Sequence, residues 1–231
     1  MTTADGGAPA SVYQSALGDA FAELPPVLAR YFGPISPGHV GVGEGVYDIV
    51  GSRFGAFGWP LLRWSAHHEM LFPESGRRVP FVVENRPSRE GLVGARWFAF
   101  PRVVRVMRDS MHADGGEIVE RLGRRGGLEV RLRPSVQDGG MVLRSRALAW
   151  RIRGVRVPLP PLAHVEVRED AEAGDSGRQR VDVRLRMPLL GEVFRYTGSF
   201  AYRILPESDT VSGVSAALPT LSMWLTQNSP H

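Results

Sequence analysis

The sequence predicts a mainly β protein, an antiparallel closed or nearly closed β-barrel with helices at its N-terminus. Residues 181–187, 128–133 and 165–168 alternate apolar and polar side chains without a break. Because successive side chains on a strand point to opposite faces, each segment turns one face to water and one to a core. About nine or ten such strands follow one another as a meander. Closure of the sheet is favoured, since closure removes the exposed edges.

The predicted helices lie near the N-terminus. Ser11 is a suitable N-cap for a helix over 12–24, where apolar residues recur every three to four positions. Pro25 and Pro26 end that helix, and a second short helix is expected over 27–32. We therefore expect a disordered leader over 1–10, one barrel domain over 11–205 with helices within 11–32, and a tail over 206–231. The alternative architecture, a helix-grip α+β fold, needs a long helix that the second half does not supply.

Turn and breaker residues divide the rest of the chain. Asp114-Gly115-Gly116 and Asp138-Gly139-Gly140 indicate tight hairpin turns, and Pro158-Leu159-Pro160-Pro161 indicates a loop or an edge crossing. The segment 53–64 is apolar but does not alternate, which favours an irregular or short helical cover over one end of the barrel. Strands are expected at 40–50, 78–86, 92–100, 102–112, 117–123, 127–134, 141–153, 164–170, 178–187 and 192–204.

Composition excludes several classes of protein. The 231 residues contain no cysteine, which rules out disulfides, thiolate metal sites and cysteine nucleophiles. Every basic residue is arginine, but the net charge is only +4 and the arginines alternate with apolar residues, as on a wet sheet face. We therefore expect no nucleic-acid partner. No apolar run reaches the roughly 20 residues of a membrane span, and no signal peptide is evident, so a cytoplasmic protein is expected. The sequence leaves a homodimer open.

A series of short motifs resembles a bacterial family, the domain-of-unknown-function 4166 family, over roughly residues 11–205. The family pattern places a basic residue two positions after the tryptophan, where this chain has Ala99. The resemblance implies a fold and carries no activity. The matching motifs are Tyr13-Gln14, Leu17-Gly18, Phe21, Leu24-Pro25-Pro26, Trp97, Gly140, Arg153-Gly154, Pro158-Leu159-Pro160, Val181-Asp182-Val183, Pro188-Leu189-Leu190-Gly191 and Tyr196-x-Gly198.

A second resemblance lies in Gly41-Val42-Gly43-Glu44-Gly45-Val46-Tyr47. The spaced glycines and the tyrosine are similar to the first strand of small haem-binding barrels related to lipocalins (calycins). Those barrels usually carry proline after the tyrosine, where this chain has Asp48. The alternative explanation is that the glycines let the strand bend at a barrel corner. The glycine spacing does not match a dinucleotide-binding loop, and the sequence predicts no cofactor.

The candidate site residues are aromatic, sulfur-containing and titratable side chains on the predicted strands. Ligand pockets are mostly apolar with a few inward polar groups. We expect Trp97, Met107, Trp150, Tyr196 and Tyr202 to form the wall of a ligand site. His68, from the cluster His67-His68-Glu69, is a candidate for proton transfer, and neighbouring histidines on a strand point apart, which argues against a metal site. The other candidate catalytic groups are Glu120, Arg146 and Glu166.

These observations predict a protein that binds a small, largely apolar organic molecule inside the barrel. One hypothesis is a cofactor-independent cyclase or isomerase of a polyketide- or terpene-like substrate, which acts by folding the substrate and polarising a carbonyl. The second hypothesis is a carrier of a lipid or another hydrophobic ligand without chemistry. The third is a structural domain with a packed core.

Overall fold

Ten antiparallel strands close into a barrel in the computed structural model, which describes residues 9–52, 59–161, 163–174 and 177–209. Neighbours along the chain pair from β1 to β7, and β1 pairs with β11, which continues the ring through β10 and β9 to β7. The strands are β1 (His39–Ser52), β2 (Gly76–Ser88), β3 (Gly91–Phe100), β4 (Val103–Asp114), β5 (Glu117–Leu122), β6 (Leu128–Gln137), β7 (Gly140–Ile152), β8 (Val155–Leu159), β9 (His164–Ala171), β10 (Arg178–Met187) and β11 (Gly191–Pro206).

The predicted fold class is confirmed, and the helix-grip alternative is wrong. One edge of β7 pairs along its length with β6, while its other edge pairs first with β9 and then with β8. Strand β8 includes Pro158, where the sequence predicts a loop or an edge crossing. It lies outside the ring and pairs only with β7 in the described part of the chain. Residues 1–8 of the expected leader and 210–231 of the expected tail lie outside the described residues.

The N-terminal helices close one end of the barrel. They are α1 (Val12–Leu17), a 3₁₀ helix (Gly18–Glu23) and α2 (Pro26–Phe32). Ser11 caps α1 in a capping box with Gln14, as its position predicts. The helix predicted over 12–24 is divided because Gly18 adopts a φ of 58°, which favours glycine and ends the α-helical turn. None of the helices in the described ranges is long and apolar enough to cross a membrane.

The opposite end is covered by α3 (Trp59–His67) and the segment that follows it. Phe72 packs edge-on against Phe98, Phe100 and Phe194, with ring centroids 4.9, 5.4 and 5.3 Å away. The backbone N–H of Arg108 donates to the carbonyl of Glu69, which fastens this segment to β4. A helical cover at one end is therefore present as predicted, although residues 53–58 of the predicted segment lie outside the described residues.

The barrel interior is filled mainly by aromatic rings. Eight-stranded barrels have an interior that side chains just fill, so a ten-stranded ring needs larger side chains to reach the axis. Tyr47 stacks on Phe81 with ring centroids 3.7 Å apart, and Phe81 meets Phe200 at 5.5 Å. Tyr31 reaches in from α2 and contacts the ring of Tyr202 at 4.8 Å. These contacts join the helices at the α1/α2 end to the strands in one core.

The glycines of β1 make room for rings of the neighbouring strand. A Cβ at Gly41 would lie 1.5 Å from the hydroxyl oxygen of Tyr202, and one at Gly43 would lie 2.9 Å from the Phe200 ring. The resemblance of this strand to lipocalin-like barrels agrees with the barrel that is seen. The physical reason for the glycines is close approach of aromatic rings.

We expect Gly41→Ala to lower the free energy of unfolding by about 1–3 kcal/mol, because the added methyl group overpacks a buried ring. The matched control is Gly127→Ala, whose Cβ would meet no atom within 4 Å. Urea unfolding of both variants measures the difference. Equal stability of the two variants would contradict the close approach of Tyr202 to β1.

Candidate functional site

A cavity of about 70 Å³ lies inside the barrel, between the tyrosines of the α1/α2 end and the central strands. The cavity holds a few water molecules at most, and its wall combines aliphatic, aromatic and ionisable side chains. The lining residues are Tyr13, Tyr31, Tyr47, Phe81, Val83, Arg96, Met107, Met111, Glu120, Leu122, Leu132, Leu143, Val167, Glu169, Val181, Val183, Tyr196 and Phe200.

Arg96 on β3 is the cation of this wall, and it forms an ion pair with Asp109 on β4, which does not itself line the cavity. Arg96 stands opposite Met107 in the strand register, so Asp109 is its diagonal neighbour on the same inner face. Asp109 stands opposite Gly94, where a Cβ would lie 2.6 Å from the aspartate Oδ1. The glycine therefore provides the space that the buried carboxylate occupies.

The ion pair keeps the Arg96 side chain in its charged form inside the barrel. The side chain of Asp109 is 2% exposed and that of Arg96 is 14% exposed. Burial acts to lower the pKa of Arg96, but Asp109 together with Tyr196, Tyr31 and Glu120 outweighs it, so that the pKa lies well above its ordinary value. Arg96 is therefore a fixed cation at the cavity wall.

Glu120 on β5 contributes a carboxyl group to the cavity wall. Burial raises the pKa of Glu120 to about 8, the negative charge of Asp109 adds to the rise, and Arg96 opposes it. No hydrogen bond to this carboxyl group occurs among the residues that the structure describes. Glu120 is therefore mostly protonated at neutral pH, with one O–H donor that faces the cavity.

Glu169 on β9 is the second carboxyl group of the cavity wall. The side-chain amide of Gln179 on β10 donates to its Oε2 at 2.6 Å. Burial raises the pKa of Glu169 to about 7, although the hydrogen bond from Gln179 and the charge of Arg96 lower it. Two carboxyl groups with raised pKa values thus flank one arginine whose charge Asp109 already balances.

Tyrosine hydroxyls complete the polar part of the interior. The hydroxyl of Tyr13 donates to the sulfur of Met111 at 3.3 Å. Burial raises the pKa of Tyr13, Tyr31 and Tyr47 well above the ordinary value, and it also raises the pKa of Tyr196. These hydroxyl groups are therefore neutral donors throughout the physiological pH range.

The arrangement supports acid–base chemistry on a small molecule. Arg96 can stabilise negative charge that develops on an oxygen, and Glu120 or Glu169 can donate or accept a proton near neutral pH. In the described part of the chain, no group of three His, Asp or Glu residues lies close enough to hold a metal ion.

Three of the residues predicted from sequence line this cavity: Met107, Glu120 and Tyr196. Tyr202 also lies in the core, but at the α1/α2 end beside Tyr31 and outside the cavity wall.

The other predicted residues lie elsewhere. Trp97 packs on the outer face of the barrel against a small apolar cluster that includes Val82 and Ala99. Its predicted place in an inner wall is wrong because it alternates with Arg96 and Phe98, which face inward. His68 and Trp150 lie at the α3 end, where both line a surface groove.

Arg146 and Glu166, two of the candidate catalytic groups, are exposed and do not line the cavity. Glu166 is exposed and pairs with Arg144 at 2.8 Å, because it alternates with Val165 and Val167, whose side chains face inward. Arg146 is exposed at the point where the register between β6 and β7 shifts, between Arg131 and Leu132. A sequence does not reveal such a bulge, since the extra residue changes the phase of alternation.

Sequence reasoning missed Arg96, Asp109 and Glu169, although each left a signal. Each of them occupies the apolar phase of its strand: Arg96 follows Leu92 and Gly94, Asp109 stands between Met107 and Met111, and Glu169 follows Val165 and Val167. A charged residue in the inward phase marks a buried polar site. The contributions of Tyr13 and Tyr31 depend on how the helices dock and carry no such signal.

We expect the free energy of unfolding to fall as the pH rises from about 5 to 8. The folded pKa of Glu120 (about 8) and that of Glu169 (about 7) exceed the ordinary value of 4.5. In this window the native state binds more protons than the unfolded state, so stability is highest below it and is lost as the pH rises, by at most about 1.4 kcal/mol per pH unit and carboxyl group. Urea unfolding at four pH values measures the slope.

Glu120→Gln is expected to flatten this pH dependence, whereas Glu166→Gln, at an exposed carboxylate, should leave it unchanged. Parallel pH profiles for the wild type and Glu120→Gln would contradict the burial of a protonated carboxyl group.

Arg96→Met is expected to lower the free energy of unfolding by about 3–5 kcal/mol, because it leaves Asp109 buried without a cation. The double variant Arg96→Met/Asp109→Asn should lose less, since no charge remains unpaired. Calorimetric or urea unfolding of both variants at pH 7 tests this. A larger loss in the double variant than in Arg96→Met would refute the proposed pairing.

Comparison with models of known protein families gives a match over most of the chain. A sequence profile described as Domain of unknown function (DUF4166) matches residues 24–200, most of the chain. No curated protein matches the chain. The match agrees with the motifs recognised in the sequence, several of which lie on strands of the barrel. The chain therefore belongs to the DUF4166 family.

Proposed function

We propose that the barrel binds a small, largely apolar organic molecule through one polar group, and that Glu120 transfers a proton on it, without a cofactor, while Arg96 stabilises the charge that develops. The observation that carries this proposal is the Glu120 carboxyl group: it lies in a cavity wall beside a fixed cation, with a pKa of about 8 and no hydrogen-bond partner among the described residues. Folding alone gives no reason for such a group, because an apolar residue there would avoid the cost of burial.

The size of the cavity limits the substrate. Sites for drug-sized ligands typically enclose about 300–1,000 Å³, whereas this cavity measures about 70 Å³. We therefore favour a molecule of a few non-hydrogen atoms, or the reactive end of a larger one, over a folded polyketide- or terpene-like chain. This size favours an isomerase over a cyclase that acts by folding a long substrate.

The chemistry would be proton transfer next to a carbonyl group. The ionised form of Glu120 takes a proton from the carbon beside the carbonyl, and the electron pair of that C–H bond moves toward the carbonyl oxygen. Arg96 stabilises the negative charge on that oxygen. The protonated Glu120 then delivers a proton to a conjugated carbon, which gives isomerisation. If its carboxyl hydrogen has first exchanged with solvent, delivery to the original carbon gives hydrogen exchange. A pKa of about 8 suits both steps, because both forms are populated near neutral pH.

A structural role is the second candidate, and the packing of the interior favours it. Five aromatic side chains, namely Phe32, Phe72, Phe81, Phe98 and Phe194, are among the largest fully buried residues. In a purely structural barrel, Glu120→Leu would raise stability and change nothing else. A carrier without chemistry would bind its ligand equally well with glutamine at position 120.

The test is deuterium exchange of small ketones. Acetone and cyclopentanone are incubated with the protein in D₂O near pD 8, and proton NMR follows loss of the α-proton signal. We expect faster exchange with the wild type than with buffer, loss of that acceleration in Glu120→Gln, and retention in Glu166→Gln. Equal rates for these two variants, or no acceleration by the wild type, would contradict proton transfer by Glu120 on small ketones.

A further inference from the structure

A second concave surface lies at the α3 end of the barrel, away from the interior cavity. It is a groove of about 1010 Å³ between α3, the β5–β6 turn (residues 123–127) and the β7–β8 hairpin. We call it the arginine groove, because six arginines line it together with two tryptophans: Arg108, Arg121, Arg124, Arg125, Arg151, Arg153, Trp64 and Trp150.

Half of these arginines already have carboxylate partners. Arg108 pairs with Glu69 at 2.7 Å, and Arg151 pairs with Glu129 at 3.1 Å. Arg121 lies 3.9 Å from the same Glu129 carboxylate. Arg121 also lies 3.6 Å from Glu90, so each of these three arginines has a carboxylate beside it, although Glu129 is shared.

The charges of the other three arginines have no carboxylate partner in the described part of the chain. Arg124, Arg125 and Arg153 are exposed at two turns that face the groove, and none of them pairs with an acidic residue in the ranges that the structure describes. Three exposed arginines without a carboxylate partner thus lie on one concave surface, in a chain whose net charge is +4. Elsewhere on the barrel, some outward arginines pair with carboxylates, as Arg184 does with Asp182 at 2.8 Å, whereas others, such as Arg77 and Arg78, have no carboxylate partner in the described ranges.

The β7–β8 hairpin adds an exposed apolar face to the same groove. Trp150 stands opposite Val157, and Ile152 stands opposite Val155, so the four side chains share one face. Ile152 and Val155 are 58% and 64% exposed. The opposite face is held to the barrel, because Arg151 and Arg156 both bond to Glu129.

The tryptophan of α3 extends this apolar face across the groove. Trp64 is 47% exposed, and its ring meets that of Trp150 edge-on with centroids 6.0 Å apart. An exposed apolar face bordered by unpaired cations marks a binding surface. The groove thus offers one apolar wall and one cationic wall to the same occupant.

We infer that the arginine groove binds an amphipathic organic anion, with its phosphate or another anionic head at Arg124, Arg125 and Arg153 and its apolar body along the β7–β8 hairpin. Guanidinium groups suit phosphate and carboxylate heads, because they donate two parallel hydrogen bonds. The groove is concave and of ligand size, which favours a single dissolved molecule over a membrane surface or a nucleic acid. This binding does not depend on proton transfer in the interior.

The test is isothermal titration calorimetry with monomeric dodecyl phosphate, below the concentration at which it forms micelles. We expect saturable binding of one molecule, weakened by added salt because the head contact is ionic. Arg124→Gln/Arg125→Gln should weaken binding by about tenfold or more. The matched control is Arg77→Gln/Arg78→Gln, which removes the same charge from two adjacent exposed arginines of β2, outside the groove.

Two further comparisons test the apolar wall and the independence of the site. Ile152→Ser should weaken binding of dodecyl phosphate but not change its dependence on salt, and Glu120→Gln should bind it as the wild type does. The inference is overturned if neutral dodecyl maltoside binds equally well, if both double variants bind alike, or if only phosphatidylserine vesicles or single-stranded DNA bind.

Discussion

The closed ring of strands imposes one constraint on everything inside it: every second side chain must find a place within a fixed space. Pairing of β6 with β7 completes that ring, so no inward residue can escape to solvent along an open edge. A ring of ten strands is wide, and the chain meets this demand with aromatic rings from the strands and from both covers. The glycines of β1 follow from the same demand, because the Tyr202 and Phe200 rings lie against that strand.

Burial of the Arg96–Asp109 ion pair in such a core costs free energy of folding. A buried pair loses the hydration of both ions, and its mutual attraction offsets that loss only with good geometry. Glu120 and Glu169 add two carboxyl groups that avoid the loss of hydration by keeping their protons, which is why burial raises the pKa of each. Stability alone would favour apolar residues at these positions. Sites that conflict with stability in this way are where function is expected, since binding and catalysis need groups that a packed core does not.

The fold could be predicted from the sequence, because alternation and turn chemistry act locally. In a strand such as 181–187, the alternation of apolar and polar residues indicates which side chains face the core. The turn residues Asp138-Gly139-Gly140 specify a hairpin whatever the rest of the chain does. The site was predicted only in part, since Glu120, Met107 and Tyr196 were chosen by residue type and happened to share the inward phase. Arg146 was chosen because the sequence does not reveal the bulge that turns this residue outward. Trp97 was chosen because aromatic side chains often line ligand pockets. The grouping of Arg124 and Arg125 with Arg153 depends on two turns that meet only in the folded barrel.

The interior cavity and the arginine groove are separated by very little of the protein. Leu122, the last residue of β5, lines both of them, and its register partner Asp109 also borders the groove. Strand β5 ends at this pair, while β4 continues toward the α3 end, so the wall of the barrel is interrupted there. The segment after α3 fills the gap through hydrogen bonds from Arg108 to Glu69 and from Arg124 to His68. A molecule held in the groove would therefore lie against Leu122, whose side chain also lines the cavity together with Arg96 and Glu120. The shortness of β5 explains why the cationic surface and the buried acids occupy neighbouring places.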